Sequence, residues 1–241
     1  MFVGSQRSGH SLVGSLLDAH PNMVVAHEIN ALRCLQNGFG KRKLYHCILQ
    51  NSRRKAAGNR EVTGYSYAVP NQWQGKFKTI KVIGDKKGGG SSLMIRKNPE
   101  ILQTLQDKID VPIKFINVTR NPYDNISTIA SRKGTDLEYG INLYFKNCES
   151  VKTLKMKVND TDIHDVRHES LITNPQKILK ELCEFLGLEA PEDYLEDCAG
   201  ILFKSPKKTR LKAPWNQELI ELVANKISQF EFLNGYSYEG E

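Results

Sequence analysis

Apolar positions along this 241-residue chain fall into two spacings. Short runs at Phe2–Gly4, Met23–Ala26, Thr79–Ile83, Ile113–Val118 and Ile163–Arg167 are rich in β-branched residues and read as strands. The second, third and fourth hardly alternate, the pattern of parallel strands covered on both faces. Between the runs, apolar residues recur at helical spacing. Gly9–Ala19 has Leu12, Leu16 and Leu17 on one face, and Asn98–Lys108 carries Ile101, Leu102 and Leu105. Pro122–Ser131, Leu137–Leu154, Pro175–Leu186 and Trp215–Phe230 follow, the last with Leu219, Leu222, Val223 and Ile227 in repeat. Strands alternating with helices predict an α/β fold, a three-layer sandwich around a central parallel sheet with right-handed crossovers. No internal repeat interrupts it.

One region does not fit. From Arg33 to Lys78 the pattern is broken, basic and rich in Gly, Asn and Gln, too long for a plain connection in a compact domain. It predicts helical pieces around Lys43–Lys55 and an irregular excursion around Val62–Trp73. The chain then reads as a single domain over 1–241, with 33–78 an insertion that reaches the ligand-binding edge and selects the acceptor.

Composition changes this picture little. Hydrophobic residues at 39% and charged residues at 25% are ordinary for a globular protein with its own core. Five widely spaced cysteines without a C-x-x-C pair suggest neither a zinc site nor a disulfide framework. No apolar run approaches the length of a membrane span, and no signal peptide is visible, the first strand being expected from Phe2. The chain as it stands is expected in the cytoplasm; as a trimmed domain of a longer protein it would belong in the Golgi lumen. Asn117, Asn125 and Asn159 open N-glycosylation patterns that carry little weight, the first lying in an expected buried strand. Charge matters more. The net charge is +7, yet Ile29–Gly84 holds eleven Lys or Arg against Glu61 alone. That stretch is either a solvated face or a surface for an anionic partner.

Candidate chemistry begins at Gly4–Ser11, G-S-Q-R-S-G-H-S. The spacing is that of the phosphate loop G-x-x-x-x-G-K-[ST], with His10 in the lysine's place, and it follows a strand and opens a helix. A helix N-terminus offers unpaired N–H groups and a positive dipole end to phosphate oxygens. His10 is too short and too rarely charged to span a triphosphate as lysine does. Arg7, in the crown of the loop, can instead fork onto two oxygens of one phosphate or sulfuryl group.

The stretch "QRSGHSLVGSLLDAHP" resembles "PKSGTTWL" of cytosolic sulfotransferases and "PRSGTTLMRAMLDAHP" of tyrosylprotein sulfotransferases. The resemblance implies a P-loop NTPase-like sulfotransferase fold. It also implies that this loop, with Arg7, Ser8, Gly9, His10 and Ser11, cradles the 5′-phosphosulfate of 3′-phosphoadenosine 5′-phosphosulfate (PAPS), the bisphosphate PAP being the product. His10-Ser11 replaces a Thr pair, so Ser11 keeps one hydroxyl. "TRNPYDNIST" resembles the family pattern R-N-P-x-D-x-x-x-S, whose Arg and Ser bind the 3′-phosphate. Arg120 matches the arginine, Thr128 stands at the serine position, and Ser127 is its possible substitute. "HDVRHESLITNPQKILKELCEFLGLE" is similar to the family's Y-E-D-L segment, with His168 for tyrosine, and reads as mostly structural. "KSPKKTRLKAPW" resembles the basic segment that covers the nucleotide, which makes Arg210 and Lys212 candidates.

Transfer needs a base and fixed cations. Glu28 ends the second strand, and in tyrosylprotein sulfotransferases the catalytic glutamate falls here. His27 is the alternative base, since cytosolic sulfotransferases use histidine; His20 reads as a helix-end cap. "VIGDKKGGGSS" resembles a family segment whose lysine points at the bridging oxygen, the position of Lys86, with Lys87 as alternative. Gly88-Gly89-Gly90 is expected to be a mobile loop. The catalytic candidates are thus Glu28, Lys86 and Arg7, without a metal. The acceptor is expected to be anionic or hydroxyl-bearing: an acidic peptide, a glycan or a small molecule. A nucleic-acid polymer is not expected, and a homodimer is left open. Two rivals stand beside this reading: an ATP-dependent small-molecule kinase with Asp85 holding Mg²⁺, and a non-catalytic anion-binding module.

Overall fold

The computed structural model describes residues 1–62 and 64–240; Thr63, in the expected excursion, and Glu241 lie outside the described residues. Five strands, β1 (Phe2–Val3), β2 (Met23–His27), β3 (Val82–Lys86), β4 (Phe115–Thr119) and β5 (Ile163–Arg167), all pair in parallel, as β1-β4-β5 and β2-β3. Helix α1 (His10–Asp18) joins β1 to β2. Helices α2 (Ala31–Gln36) and α3 (Lys41–Ala57) lie between β2 and β3, and α4 (Gly88–Lys97) and α5 (Ile101–Lys108) between β3 and β4. Helices α6 (Pro122–Lys133) and α7 (Leu137–Lys155) precede β5, and α8 (His168–Thr173), α9 (Pro175–Phe185), α10 (Glu192–Gly200) and α11 (Gln217–Ile227) follow it. This is an α/β sandwich around a central parallel sheet.

The unalternating runs bury both faces. In β2, Met23 and Val25 pack with Leu12, Leu16 and Leu17 of α1, while Val24 and Ala26 pack with Leu32, Leu44 and Ile48 of α2 and α3. In β4, Ile116 and Val118 face the first layer and Phe115 the second. A third cluster closes α6 and α7 beneath α11.

The L-D-A-H-P stretch pins the insertion. Asp18 is buried and accepts from Val25 N–H at 2.6 Å, from Ser52 Oγ at 2.9 Å and from Arg60. Burial pushes its carboxyl up, against the pull of Arg60. Such a pair adds little net stability but is costly to break, because one charge would stay buried alone. His20 does cap the turn: its Nδ1 accepts from Asn22 N–H at 3.1 Å, and its Nε2 donates to the Glu189 carbonyl at 2.9 Å.

Five elements differ from expectation. The third strand starts three residues later than Thr79, because pairing sets Met23 opposite Val82 and His27 opposite Lys86. Asp85 and Lys86 are therefore strand residues. Gly88-Gly89-Gly90 is the first turn of α4 rather than a loop. Glycine propensity argues against a helix there, but contacts described below require all three. Helices α2 and α10 are too short and bury too few apolar side chains to show a period; α10 buries only Tyr194 and Cys198. The pieces expected around Lys43–Lys55 form one 17-residue helix, α3.

Candidate active site

Parallel strands bring their carboxyl ends to one edge, where α/β sheets bind ligands. Each strand delivers a candidate there: β1 the loop Gly4–Gly9, β2 Glu28, β3 Lys86 and Lys87, β4 Arg120, and β5 His168. Between them lies a cavity of about 620 Å³, lined by Arg7, Gly9, Ser11, Glu28, Lys86 and Arg120 among others. Ser8 and Arg210 do not line it.

The loop is built on backbone conformations that side chains resist. Gly4 and Gly9 have φ of 107° and 101°, and Arg7 itself lies in the left-handed region at 68°. A Cβ at residue 9 would lie 2.5 Å from His168 Nδ1. Ser8 Oγ donates to the Ser5 carbonyl at 2.8 Å and accepts from Asn125 Nδ2 at 2.6 Å, so it shapes the loop from behind. Arg7 is exposed at the cavity wall. His10 turns inward: its Nε2 donates to the Val3 carbonyl at 2.7 Å, and burial holds its pKa near 4. The imidazole fills the space a Cβ at residue 88 would need, at 2.3 Å from that Cβ position. Gly89 similarly clears the Gln6 backbone and Gly90 the Lys87 stem. The glycines thus let the N-terminus of α4 abut the phosphate loop.

Lys86 is the centre of the site. It is 2% exposed, donates to Ser11 Oγ at 3.0 Å and to Glu28 Oε1 at 2.8 Å, and lies 3.3 Å from His27 Nε2. Burial lowers its pKa, and Glu28 opposes that shift. Lys87 donates to the other oxygen, Glu28 Oε2, at 2.8 Å. Burial alone would raise the Glu28 carboxyl, but the two lysines outweigh it and hold the pKa at about 2. His27 is pushed down to about 4 by burial and then by Lys86, and its lone pair faces that ammonium.

Glu28 also has a left-handed backbone, φ 61°. The turn that imposes it is fastened by Asp85, whose carboxylate accepts from Ile29 N–H at 3.0 Å and Ala31 N–H at 2.9 Å. Asp85 is 1% exposed and does not line the cavity.

At the other end, Arg120 donates to Thr128 Oγ1 at 3.3 Å and to the Lys207 carbonyl at 2.6 Å, while its Nε is buried without a partner. Thr128 Oγ1 also meets Thr209 Oγ1 at 3.1 Å. Ser127 lines the cavity, but its hydroxyl donates to the Tyr123 carbonyl at 2.7 Å and accepts from Trp215 Nε1 at 2.9 Å. Arg210 pairs with buried Asp124 and donates to the Gly240 carbonyl at 2.9 Å. Lys212 lines the cavity wall. Glu169 holds Asn121 N–H at 2.9 Å and so sets the angle at which Arg120 leaves β4.

Sequence reading did not single out the aromatic wall of Tyr65, Tyr67 and Phe203. Lys207 donates to Tyr65 Oη at 2.8 Å and lies over both the Tyr65 and Phe203 rings, at 4.9 and 5.1 Å. Only the alternation Tyr65-Ser66-Tyr67 hinted at it. Of the expected excursion, Val62, Tyr65 and Tyr67 line the cavity, whereas α3 packs behind β2 and β3.

A phosphate-type loop, a buried arginine at the end of β4 and an acid–lysine pair on one edge of a parallel sheet mark an α/β protein of the phosphate-loop class. The chain belongs to the sulfotransferase family, whose model matches residues 1–192. Its fold is similar to the sulfotransferase domain from the curacin biosynthetic pathway, with TM-score 0.58, 14% identity, and 95% and 96% of the two chains covered. It is similar also to the sulfotransferase domain of the Synechococcus PCC 7002 olefin synthase, with TM-score 0.55, 17% identity, and coverage of 91% and 81%. Mouse sulfotransferase SULT7A1, solved in complex with PAP, follows with TM-score 0.51, 12% identity, and coverage of 97% and 83%. A comparison with curated protein sequences gives no match. Among the described residues no helix is long and apolar enough to cross a membrane.

Proposed function

We propose that this cavity transfers a sulfuryl group from PAPS to a hydroxyl or amine acceptor by in-line displacement, with Glu28 as the base. The observation that carries the proposal is the placement of Lys86 and Glu28, 2.8 Å apart, between two anion grips. One grip is the α1 N-terminus with Arg7 and Ser11. The other is Arg120 with Thr128, suited to a 3′-phosphate. The unpartnered, buried Arg120 Nε supports that fit. Mouse SULT7A1 bound to PAP supports the same donor here.

The chemistry divides among this chain's residues. A bond forms between the acceptor oxygen and sulfur as the bond from sulfur to the 5′-phosphate oxygen breaks. The electron pair leaves with the phosphate oxygen. Lys86 and Arg7 offset the charge gathering there. Glu28 takes the acceptor's proton. Lys86 is held for its task by Ser11, and Glu28 by Asp85 beneath the turn.

A kinase would need Asp85 for Mg²⁺, but both its oxygens serve the 29–31 turn. Calorimetry tests the donor. PAP should bind at least tenfold more tightly than AMP, and ATP with Mg²⁺ no better than AMP, because a charge-assisted contact in a desolvated site supplies about 1.5–3 kcal/mol. Equal affinities for PAP and AMP would remove the 3′ grip from the proposal.

A further inference from the structure

Both oxygens of Glu28 are occupied by ammonium groups, and the two lysines differ. Lys86 is 2% exposed and tied to Ser11 and Glu28, in a groove left by Gly14. Lys87 is 31% exposed, and Glu28 Oε2 is the only hydrogen-bond partner of its ammonium among the described residues. Its stem lies flat across Gly90, where a Cβ would meet Lys87 Cγ at 2.7 Å and Cε at 2.8 Å. Lys86 is thus fixed and Lys87 is free to leave.

We infer that Lys87 selects the acceptor: it pairs with an anionic group, such as a carboxylate, carried by the acceptor within a lysine's reach of its hydroxyl, and in leaving Glu28 Oε2 it frees that oxygen to take the hydroxyl proton. This rests on the reading of Glu28 as base. A carboxylate clasped by two cations and held near pKa 2 is ionised but weakly basic. An acceptor that draws Lys87 away restores basicity at the moment the hydroxyl arrives. A neutral acceptor leaves the clasp closed. Charge favours the same class of acceptor. Among the described residues lining the cavity there are seven Lys and Arg side chains and one carboxylate, Glu28; with Arg7, Lys86 and Arg120 given to the donor, Lys87, Arg132, Lys207 and Lys212 remain. Lys55 of α3 and Arg60 extend the positive field behind His27. The groups facing Glu28 are therefore Lys86 from β3, Lys87 from the start of α4 and neighbouring His27, with Asp85 beneath the turn.

The probes are 4-hydroxyphenylacetate and its amide, which differ only in the charge beside the same phenol. Their kcat/KM values are compared in wild type, Lys87→Gln and Lys87→Arg. Wild type should favour the carboxylate about tenfold, the size of one charge-assisted contact. Lys87→Gln should lose that preference and Lys87→Arg should restore it. A ratio unchanged in Lys87→Gln overturns the inference. A second readout needs no turnover. In a carboxyl ¹³C titration, Glu28 should ionise at higher pH in Lys87→Gln than in wild type. A Glu28 titration insensitive to that substitution also overturns the inference. Glu28→Gln separates the two failures. If it is inactive while the Lys87 ratio is flat, selection by Lys87 fails and the base stands. If it turns over both probes at the wild-type rate, the base reading fails and takes this inference with it.

Discussion

Lys86 reaches its place because residue 14 is glycine: a Cβ there would lie 2.7 Å from Lys86 Cγ and 2.9 Å from Lys86 Cβ. These are the rooted atoms of the lysine, so the stem must shift. Gly14→Ala sets that clash against a helix-propensity gain of about 1 kcal/mol. The melting temperature should change by only a few degrees, while turnover should fall at least tenfold as the ammonium leaves Ser11 and Glu28. Thermal unfolding and rate measured on the same preparation check this. An unchanged rate would show that the position of Lys86 is not critical.

The two hydroxyls at the proposed 3′ grip should behave differently. Arg120→Ala and Thr128→Val should each weaken PAP binding and leave AMP binding nearly unchanged, by tenfold or more for the arginine. Ser127→Ala should keep PAP affinity, because that hydroxyl is committed to Tyr123 and Trp215. It should instead cost about 1 kcal/mol of stability, one hydrogen bond. Calorimetry and denaturant unfolding separate the two effects. Loss of PAP affinity in Ser127→Ala would exchange the roles.

Acid should loosen the fold through histidines as well as carboxylates. His10, His27 and His168 are each held near pKa 4, mainly by burial. The folded pKa lies below the ordinary value of 6.5, so the unfolded chain binds more protons between those limits. Their contribution to stability is complete above about pH 6.5 and is lost as pH falls toward 4, at up to about 1.4 kcal/mol per pH unit for His10. Glu28 acts lower. Its depressed pKa contributes stability above the ordinary 4.5 that is lost as pH falls toward about 2. Urea midpoints from pH 7.5 to 4 should fall in wild type and less steeply in His10→Gln. Parallel curves would contradict the buried neutral state of His10.

What could be read from the sequence was whatever local spacing determines. Gly4–Ser11, between a strand and an apolar helix, announced a phosphate-loop-type turn, and the unalternating runs announced the parallel sheet. Glu28 and Lys86 could be nominated, but not their contact, because β2 and β3 meet only through a register three residues away from the expected strand. Gly88–Gly90 misled for a related reason. Propensity favours a loop, whereas contacts with His10, Gln6 and the Lys87 stem select a helix. His10 stands in the lysine position of the loop pattern and lines the cavity, yet its ring nitrogen reaches back to Val3. No pattern announces that a histidine's ring nitrogen is bonded to its own strand. Arg210 was in the same position: a basic surface loop and an arginine paired with buried Asp124 share one sequence.

Asp85 should matter without a metal. Asp85→Asn exchanges one acceptor for a donor that faces the N–H groups of Ile29 or Ala31, so the turn carrying Glu28 should slacken. Turnover should drop while PAP affinity holds. Wild-type activity should survive excess EDTA. Activity lost to EDTA and regained with Mg²⁺ would favour the kinase reading.

The most direct measurement is transfer of labelled sulfate from PAPS, in EDTA, by wild type and Glu28→Gln, across phenol, tyrosyl-peptide and glycan acceptors. The amide keeps the shape of the carboxylate but cannot take a proton, and loss of a general base costs about 10² to 10⁴ in rate. Wild type should transfer label, and Glu28→Gln should bind PAP as tightly but transfer at least a hundredfold more slowly, with His27→Ala much less affected. Transfer by Glu28→Gln at the wild-type rate, with His27→Ala inactive, would contradict the account and move the base to His27.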